Sequence, residues 1–376
     1  MPKYTITEAV SKTDINDFIK IPFAVYKDNP YWVPMLISES RKFFDKTKNP
    51  FFLHSEAKFF IVRCDGRPVA RIAGIINNRH NKFNHEKTGF FGFFECPDDQ
   101  GLAGELFDIA ADYVKVAGLD TLRGPANYSS NDDWGWQVDN YDSFPVFQMP
   151  YNPPYYLKLA ENHGFAKAKD LLAYYLDDSK GFPEKFIRVA DLIRKKHSIE
   201  VRKIDMANFD RELQIVREIY NKAWSQNWGF VPMTEEEIMH TAADFKKIID
   251  PEVVLFAFVN GRPAGFSLAM PDLNMVFRKM QGKLFPFGVF KFLWHTKIRN
   301  SINGIRILAL GIVPEYLKSG IDAVFYVDTY NIGTAKGYHW VEMSWVLEDN
   351  VLMTRAAELM GAKPYKRYRL YDKKLI

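Results

Sequence analysis

The sequence predicts an α/β protein built from two copies of one unit, each a mixed central sheet flanked by helices. Three paired stretches lead to that reading. Residues 60–73, FIVRCDGRPVARIA, and 255–269, LFAFVNGRPAGFSLA, are each an apolar strand, an Asp-Gly or Asn-Gly turn, then Arg-Pro and a second strand. Such turns supply the positive backbone angles of a tight hairpin. Residues 110–124, AADYVKVAGLDTLRG, match 330–343, YNIGTAKGYHWVEM, as a helix end, a glycine stop and a strand. Residues 159–176, LAENHGFAKAKDLLAYYL, match 356–371, AAELMGAKPYKRYRLY, in the same way. Gly66 answers Gly261 at an offset of 261 − 66 = 195, Gly118 answers Gly337 at 219, and Gly164 answers Gly361 at 197. Each copy therefore carries one insertion: 127–156 in the first and the stretch from Asn274 to Arg306 in the second.

The elements follow in order, most clearly in the second copy. Residues 207–225 and 234–249 are expected to be helical, and Thr234 with Glu237 has the spacing of a capping box. The hairpin occupies 252–270. Residues 305–313, IRILALGIV, read as a strand of a sheet interior. A glycine turn follows, then a helix with Ile321, Val324 and Phe325 on one face. In the strand Trp340 to Val346, Val341, Met343 and Trp345 share one side, and Glu342 and Ser344 the other. Met353, Ala356, Ala357 and Met360 space a last helix, Gly361 stops it, and YKRYRLY closes the sheet. Phe186, Val189, Ala190 and Ile193 recur at helical spacing between the copies. The expected division is 1–178 for the first domain, 179–198 for a connecting helix and 199–376 for the second.

The bulk composition excludes several classes. With 376 residues, 47% hydrophobic and 26% charged, the chain suits an ordinary globular protein of one large domain or two ordinary ones. A net charge of +4 argues for no nucleic acid, and DNA is not an expected partner. Cys64 and Cys96 form no CxxC and no disulfide framework. That, with no secretion signal at the N-terminus and no long apolar run, leads to an expected cytoplasmic location. The eight histidines show no metal spacing. From Asn274 to Pro314 there is no Asp or Glu, while Arg278, Lys279, Lys283, Lys291, Lys297, Arg299 and Arg306 alternate with aromatics. That stretch fits a solvated helical lid packed by its Phe residues, a dock for a phosphate-rich ligand, or peripheral contact with a lipid surface through 274–306.

The stretches GIVPEYLKSGIDAVFY (311–326) and SWVLEDNVLMTRAAELMGAKPYKRYRLY (344–371) resemble the GNAT N-acetyltransferase superfamily, here as two domains in tandem. In that family a V-x-P-x-x-R-x-x-G-x-G/A run cradles the pyrophosphate of coenzyme A with backbone N–H groups. The resemblance implies acetyl-CoA or another acyl-CoA as the acyl donor. It places Ile312, Val313, Leu317, Lys318, Ser319, Gly320 and Ile321 at the cofactor, with Asn350 as a further contact or a helix cap. Three positions depart from the pattern. Leu317 stands at the arginine, Asp322 at the final small residue, and Ala357 where many members carry a proton-donating tyrosine; Ala160 is its counterpart in the first copy. The loop equivalent in the first copy, PDDQGLAGELFD (97–108), has its glycines at other spacings.

Acyl transfer to an amine needs a base, a stabilised carbonyl oxygen and a leaving thiolate. Glu342 and Glu348 are the candidate bases, or parts of a solvated strand end. Tyr316 is the candidate acid, with Tyr326 a second choice, or a packing residue. In the first insertion Asn127, Asp132, Asp133 and Trp134 are candidates for holding a cationic substrate, or for capping a turn. Three functions stay open: an acyl-CoA-dependent N-acyltransferase acting on a small-molecule or peptide amine, an aminoacyl or peptidyl transferase similar to the Fem ligases, and a binding protein that keeps the fold.

Overall fold

The structure, a computed structural model, describes residues 4–197, 199–284, 288–299 and 301–375. In chain order the elements are β1 (Tyr4–Glu8), α1 (Lys12–Val25), α2 (Ile37–Phe43), β2 (Glu56–Cys64), β3 (Arg67–Ile76), α3 (Asn78–Asn84), β4 (Thr88–Glu95), α4 (Gln100–Val116), β5 (Thr121–Gly124), β6 (Trp136–Gln137), α5 (Tyr155–Asn162) and β7 (Ala166–Asp177). There follow α6 (Glu184–His197), β8 (Ile199–Lys203), α7 (Phe209–Ala223), α8 (Glu235–Phe245), β9 (Val254–Val259), β10 (Arg262–Pro271), α9 (Asn274–Phe277), α10 (Gly288–Leu293), β11 (Gly304–Ile312), α11 (Ile321–Ala335), β12 (Trp340–Leu347), α12 (Val351–Leu359) and β13 (Lys363–Lys374). Among the described residues no helix is long and apolar enough to cross a membrane.

The chain divides into two compact units that interleave in sequence. One holds Met1–Asp170, Val276–Trp294 and Arg367–Ile376; the other holds Leu171–Met275 and His295–Lys366. This partition differs from the expected 1–178 and 199–376. The connecting helix α6 falls in the second unit, α10 of the insertion falls in the first, and β7 and β13 are each shared. Nothing local in a strand's sequence marks where it passes from one core to another.

The first unit runs β1-β2-β3-β4-β5 and then the end of β13. Its pairs are antiparallel except β4 with β5, which is parallel. The alternation of the strands decides its two cores. Val62, Ile72 and Phe91 face α4 and α5; Ile61, Ala73 and Phe90 face α1. The second unit repeats the plan as β8-β9-β10-β11-β12-β7, with β11 and β12 the parallel pair. Phe256 and Phe266 pack on α7 and α8, while Leu255 and Ala257 face α11. Met343, Ile305 and Ile307 join α11 and α12 in a third cluster.

The predicted fold class, mixed sheets flanked by helices, is the fold of both units. The hairpins turn at Asp65–Gly66 and Asn260–Gly261, all four with positive φ, as a two-residue turn of the favoured twist requires. Thr234 and Glu237 form the expected capping box on α8. One expectation needs correction. Arg306 was read among the basic residues of the second insertion, but it lies in β11 and is 1% exposed. The apolar run IRILALGIV carries it into the sheet, where partners described below hold its charge.

Candidate active site in the second unit

The site is built where β11 and β12 part. The two strands pair from Gly304↔Trp340 through Arg306↔Glu342 to Ile307↔Met343, and the pairing ends there. β11 continues to Ile312 with Leu308, Ala309 and Leu310 only half-buried. The same place in the first unit is filled. β4 and β5 pair as far as Phe90↔Arg123. Beyond it the Ala126 amide donates to the Phe91 carbonyl at 2.8 Å and the Phe93 amide donates to Asn127 Oδ1 at 2.8 Å. A Cβ on Gly92 would lie 2.1 Å from the Ala126 oxygen, so glycine is needed for that close approach.

The loop from β11 to α11 is the second component. Val313 and Ile312 are buried, and Pro314–Tyr316 form a single 3₁₀ turn. The Tyr316 carbonyl accepts from the Ser319 amide at 3.0 Å and from its hydroxyl at 2.6 Å. Gly320 caps α11 in the left-handed region, φ 81°, with no side-chain cap. A Cβ there would stand 2.4 Å from Ile193 Cδ1 of α6. Among the described residues the amides of Lys318, Gly320 and Ile321 have no hydrogen-bond acceptor, the usual condition of a helix N-terminus. Open backbone amides at a helix N-terminus can hold an anion. Leu317 and Lys318 are exposed beside them and Ile321 is fully buried. Asp322 does not spoil the cradle outright: burial holds its carboxyl above the usual range, against the opposing pull of its own and the Ala323 amide. In the first unit the matching helix α4 is capped by Asp99, whose carboxylate accepts from the Leu102 amide at 3.1 Å. A carboxylate already occupies the anion position there.

The third component is a buried polar cluster on the sheet face opposite Met343. Glu342 is 0% exposed. Its Oε1 accepts from Ser344 Oγ at 2.6 Å, and its Oε2 accepts from the Tyr365 hydroxyl. Arg306 Nε donates to Ser344 Oγ at 2.8 Å and lies 3.9 Å from Glu342. The guanidinium also stacks 5.3 Å from the Trp345 ring. The Trp345 indole N–H is buried with no acceptor among the described residues. A charge taken out of water is tolerated only when paired and hydrogen-bonded, and Glu342 has three such neighbours. Tyr365 is half-buried, so it links this carboxylate to the accessible surface. The register of β12 brings Glu342 and Ser344 together, as their alternation predicts, but a register shift after Met343 sets Trp345 against Arg306 and not beside Val341 and Met343. Arg306 and Tyr365 lie 38 and 23 positions from their partners, so no local signal announces them.

The other candidates divide by place. Glu348 is exposed just beyond β12. Asn350 caps α12, accepting from the Met353 amide at 3.2 Å. Tyr316 is half-buried against the α7 and α11 clusters, and Tyr326 is buried with its hydroxyl 3.3 Å from Met353 Sδ. Ala357 and Ala160 sit in the cores of their units. Asn127, Asp132, Asp133 and Trp134 gather in the first unit. Asn127 bonds Phe93 and reaches Asp133 at 3.4 Å, Ser129 donates to Asp132 at 3.2 Å, and Trp134 is buried.

Comparison with known proteins agrees with this plan. No family model matches the chain. Protein YghO of Escherichia coli (strain K12) is 32% identical over 371 residues, covering 97% of this chain and 94% of its own length. The bacterial ceramide synthase of Caulobacter vibrioides (strain NA1000 / CB15N) is 34% identical over 370 residues, covering 96% and 95%. Among solved structures, a tandem GNAT protein from the clavulanic acid biosynthesis pathway aligns over 99% of this chain and 98% of its own, at TM-score 0.57 and 12% identity. A GCN5-related N-acetyltransferase from Sphaerobacter thermophilus aligns over 99% and 95% at TM-score 0.54 and 14% identity. These two share the fold. The chain has the tandem GNAT fold and belongs to the family that holds Protein YghO and the bacterial ceramide synthase.

Proposed function

We propose that the protein is an acyl-CoA-dependent N-acyltransferase whose second unit carries the site and whose acceptor is a long-chain amine. The name of the Caulobacter relative supports a lipid amine as acceptor. The observation that carries the enzymatic reading is the coincidence, in one unit, of a parted parallel strand pair, an open glycine-capped helix N-terminus and the Glu342–Tyr365 pair. An acyl thioester supplies an activated carbonyl and a thiolate leaving group. The amides of Lys318, Gly320 and Ile321 would hold its phosphates, with Lys318 adding charge. The buried Trp345 N–H would donate to the carbonyl oxygen as negative charge develops on it. Tyr365 would take the proton of the attacking amine and pass it to Glu342, with Ser344 and Arg306 fixing that carboxylate. A new C–N bond forms, the C–S bond breaks, and the thiolate collects a proton from solvent. Glu342 thus acts through Tyr365 rather than by direct contact.

The second insertion supports contact with a lipid surface. Phe290, Leu293 and Trp294 are 71%, 47% and 53% exposed along α10 and the residue that follows it. Lys291 lies in the same helix, and the sequence has no acidic residue from 274 to 314. Apolar side chains of this kind enter a headgroup layer while basic ones meet anionic lipid. The function is tested by thermal shift and by thiol release. Palmitoyl-CoA at saturation should raise the melting point, because a ligand of the folded state must do so. Thiol should then be released when a long-chain amine such as sphinganine is added. Neither a shift nor release with any acyl-CoA from two to sixteen carbons removes the reading.

A further inference from the structure

The second unit also contains an apolar slot between α11 and the sheet. Its enclosed volume is about 40 Å³, and the rest of it opens to solvent. Ile305 and Ile307 of β11 with Val341 and Met343 of β12 form its floor. Its inner end therefore lies at Ile307 and Met343, the last pair before the strands part. Its outer end lies at Thr334, Asp178 and His339, and the Phe182 and Tyr330 rings, 4.8 Å apart, stand along its side. Along the roof it follows α11 from Tyr326 to Thr334. At about 1.5 Å per residue that is roughly 12 Å, the length of about nine or ten methylenes.

Two residues of the roof indicate that this space is kept for a ligand. Thr329 lines the slot, is 4% exposed, and its hydroxyl has no hydrogen-bond partner among the described residues. A buried hydroxyl without a partner is costly, and a water standing in the empty slot would satisfy it. Gly333 lies inside α11, where glycine is disfavoured relative to alanine because it loses more backbone freedom on folding. Its backbone does not need glycine: φ is not positive, and a Cβ would make ordinary contacts of 3.8 Å with Ile305 and Tyr338. What the missing side chain provides is room in the slot.

We propose that the slot takes the hydrocarbon chain of a long acyl thioester, with the thioester carbonyl at the parting of β11 and β12. The slot lies on the α11 face of the sheet, the face of the Gly320 loop, whereas Glu342, Ser344 and Arg306 face the other way. The donor chain is therefore assigned here and the amine approaches from the opposite face. The assignment rests on the function proposed above, and its test separates the two.

Wild type, Gly333→Ala, Gly333→Leu and Thr329→Val are compared for binding of acetyl-CoA, octanoyl-CoA and palmitoyl-CoA by calorimetry, and for transfer to amines of short and long chain. Wild type is expected to prefer palmitoyl-CoA over acetyl-CoA by 100-fold or more, from roughly 0.8 kcal/mol per buried methylene less the cost of ordering the chain. Gly333→Leu should cut palmitoyl-CoA binding at least tenfold, leave acetyl-CoA unchanged and move the optimum to shorter chains; Gly333→Ala should do the same more weakly while raising the melting point. Thr329→Val should tighten palmitoyl-CoA about threefold and leave acetyl-CoA alone, because displaced water no longer leaves a hydroxyl unpaired. If wild type binds acyl-CoA and Gly333→Leu keeps the wild-type chain preference, the slot assignment is overturned and the function stands. If the leucine shifts the preference for the amine instead, the slot belongs to the acceptor and the assignment is again overturned. If Thr329→Val moves acetyl-CoA and palmitoyl-CoA equally, or neither, the chain does not pass Thr329 and the slot is excluded. No binding of any acyl-CoA overturns both proposals.

Discussion

The two units treat the same two places in opposite ways. In the first, Asp99 caps α4, and Ala126 with Asn127 hydrogen-bonds to β4 beyond its pairing with β5. In the second, Gly320 caps α11 without a side chain, and β11 and β12 part after Ile307 and Met343, where the Arg306 side chain bonds Ser344. Both units nevertheless build the same sheet order and the same hairpin. The fold therefore needs neither opening. One copy satisfies its helix amides and strand edge internally, which favours stability; the other leaves the amides of Lys318, Gly320 and Ile321 without an acceptor among the described residues. The buried carboxylates make the same contrast. Glu95 in the first unit is 9% exposed, accepts from Tyr156 at 2.8 Å, pairs with Arg71, and is pushed up by burial. Glu342 has similar partners, but one of them, Tyr365, reaches the surface.

The largest expected effect tests that last contrast. Glu342→Gln should lower kcat by 100-fold or more while acyl-CoA binding holds, and Tyr365→Phe should fall in the same range. The double substitution should be no worse than either single one, since the two act as a unit. Glu95→Gln should leave kcat within about twofold. Steady-state kinetics with saturating acyl-CoA decide this, and a Glu342→Gln enzyme within threefold of wild type would exclude the relay.

Next in size is the cradle. Gly320→Ala imposes a Cβ on a left-handed residue packed against Ile193, and should weaken acyl-CoA binding about tenfold. If calorimetry finds equal affinity, the phosphates do not sit on this loop.

A smaller effect follows from Asp322, whose folded-state pKa is raised by burial. Such a group favours folding while protonated, and that contribution is lost as pH rises through the raised pKa. Asp322→Asn should therefore melt higher than wild type at pH 8, with the gap closing as pH falls below the ordinary aspartate value of 3.8. It should also bind acyl-CoA more tightly at pH 8, by removing a like charge. Melting curves from pH 8 to pH 3 that run parallel would show that Asp322 is not buried as described.

The smallest effect on function is expected in the first unit. Asp99→Ala removes the cap of α4 and should cost about 1 kcal/mol of stability, with acyl-CoA affinity unchanged. A change in affinity would mean that the first copy's loop also meets the ligand.

Much of the fold was legible in the residues themselves. Gly66 and Gly261, Gly118 and Gly337, and Gly164 and Gly361 were paired by position, and all six have positive φ. Glu342 and Ser344 were placed on one face from alternation alone, and their hydrogen bond follows from it. The motif spacing marks Ile312 to Ile321 as a strand-to-helix loop, and the segment does join β11 to α11. Such features depend on a residue and its near neighbours: a turn needs a positive φ, a strand alternates, a helix repeats. By itself the sequence determined the doubled α/β plan, the turns, and the side of β12 on which a carboxylate would stand. Tertiary structure alone decided that Arg306 and Tyr365 complete that carboxylate, that Asn127 closes one strand pair while the other stays open, that Gly333 leaves room under α11, and that β7 and β13 serve two cores. Each of these joins residues that are distant along the chain. Only the register of a sheet and the packing of a helix upon it set such distances, and neither is carried by any short stretch of sequence.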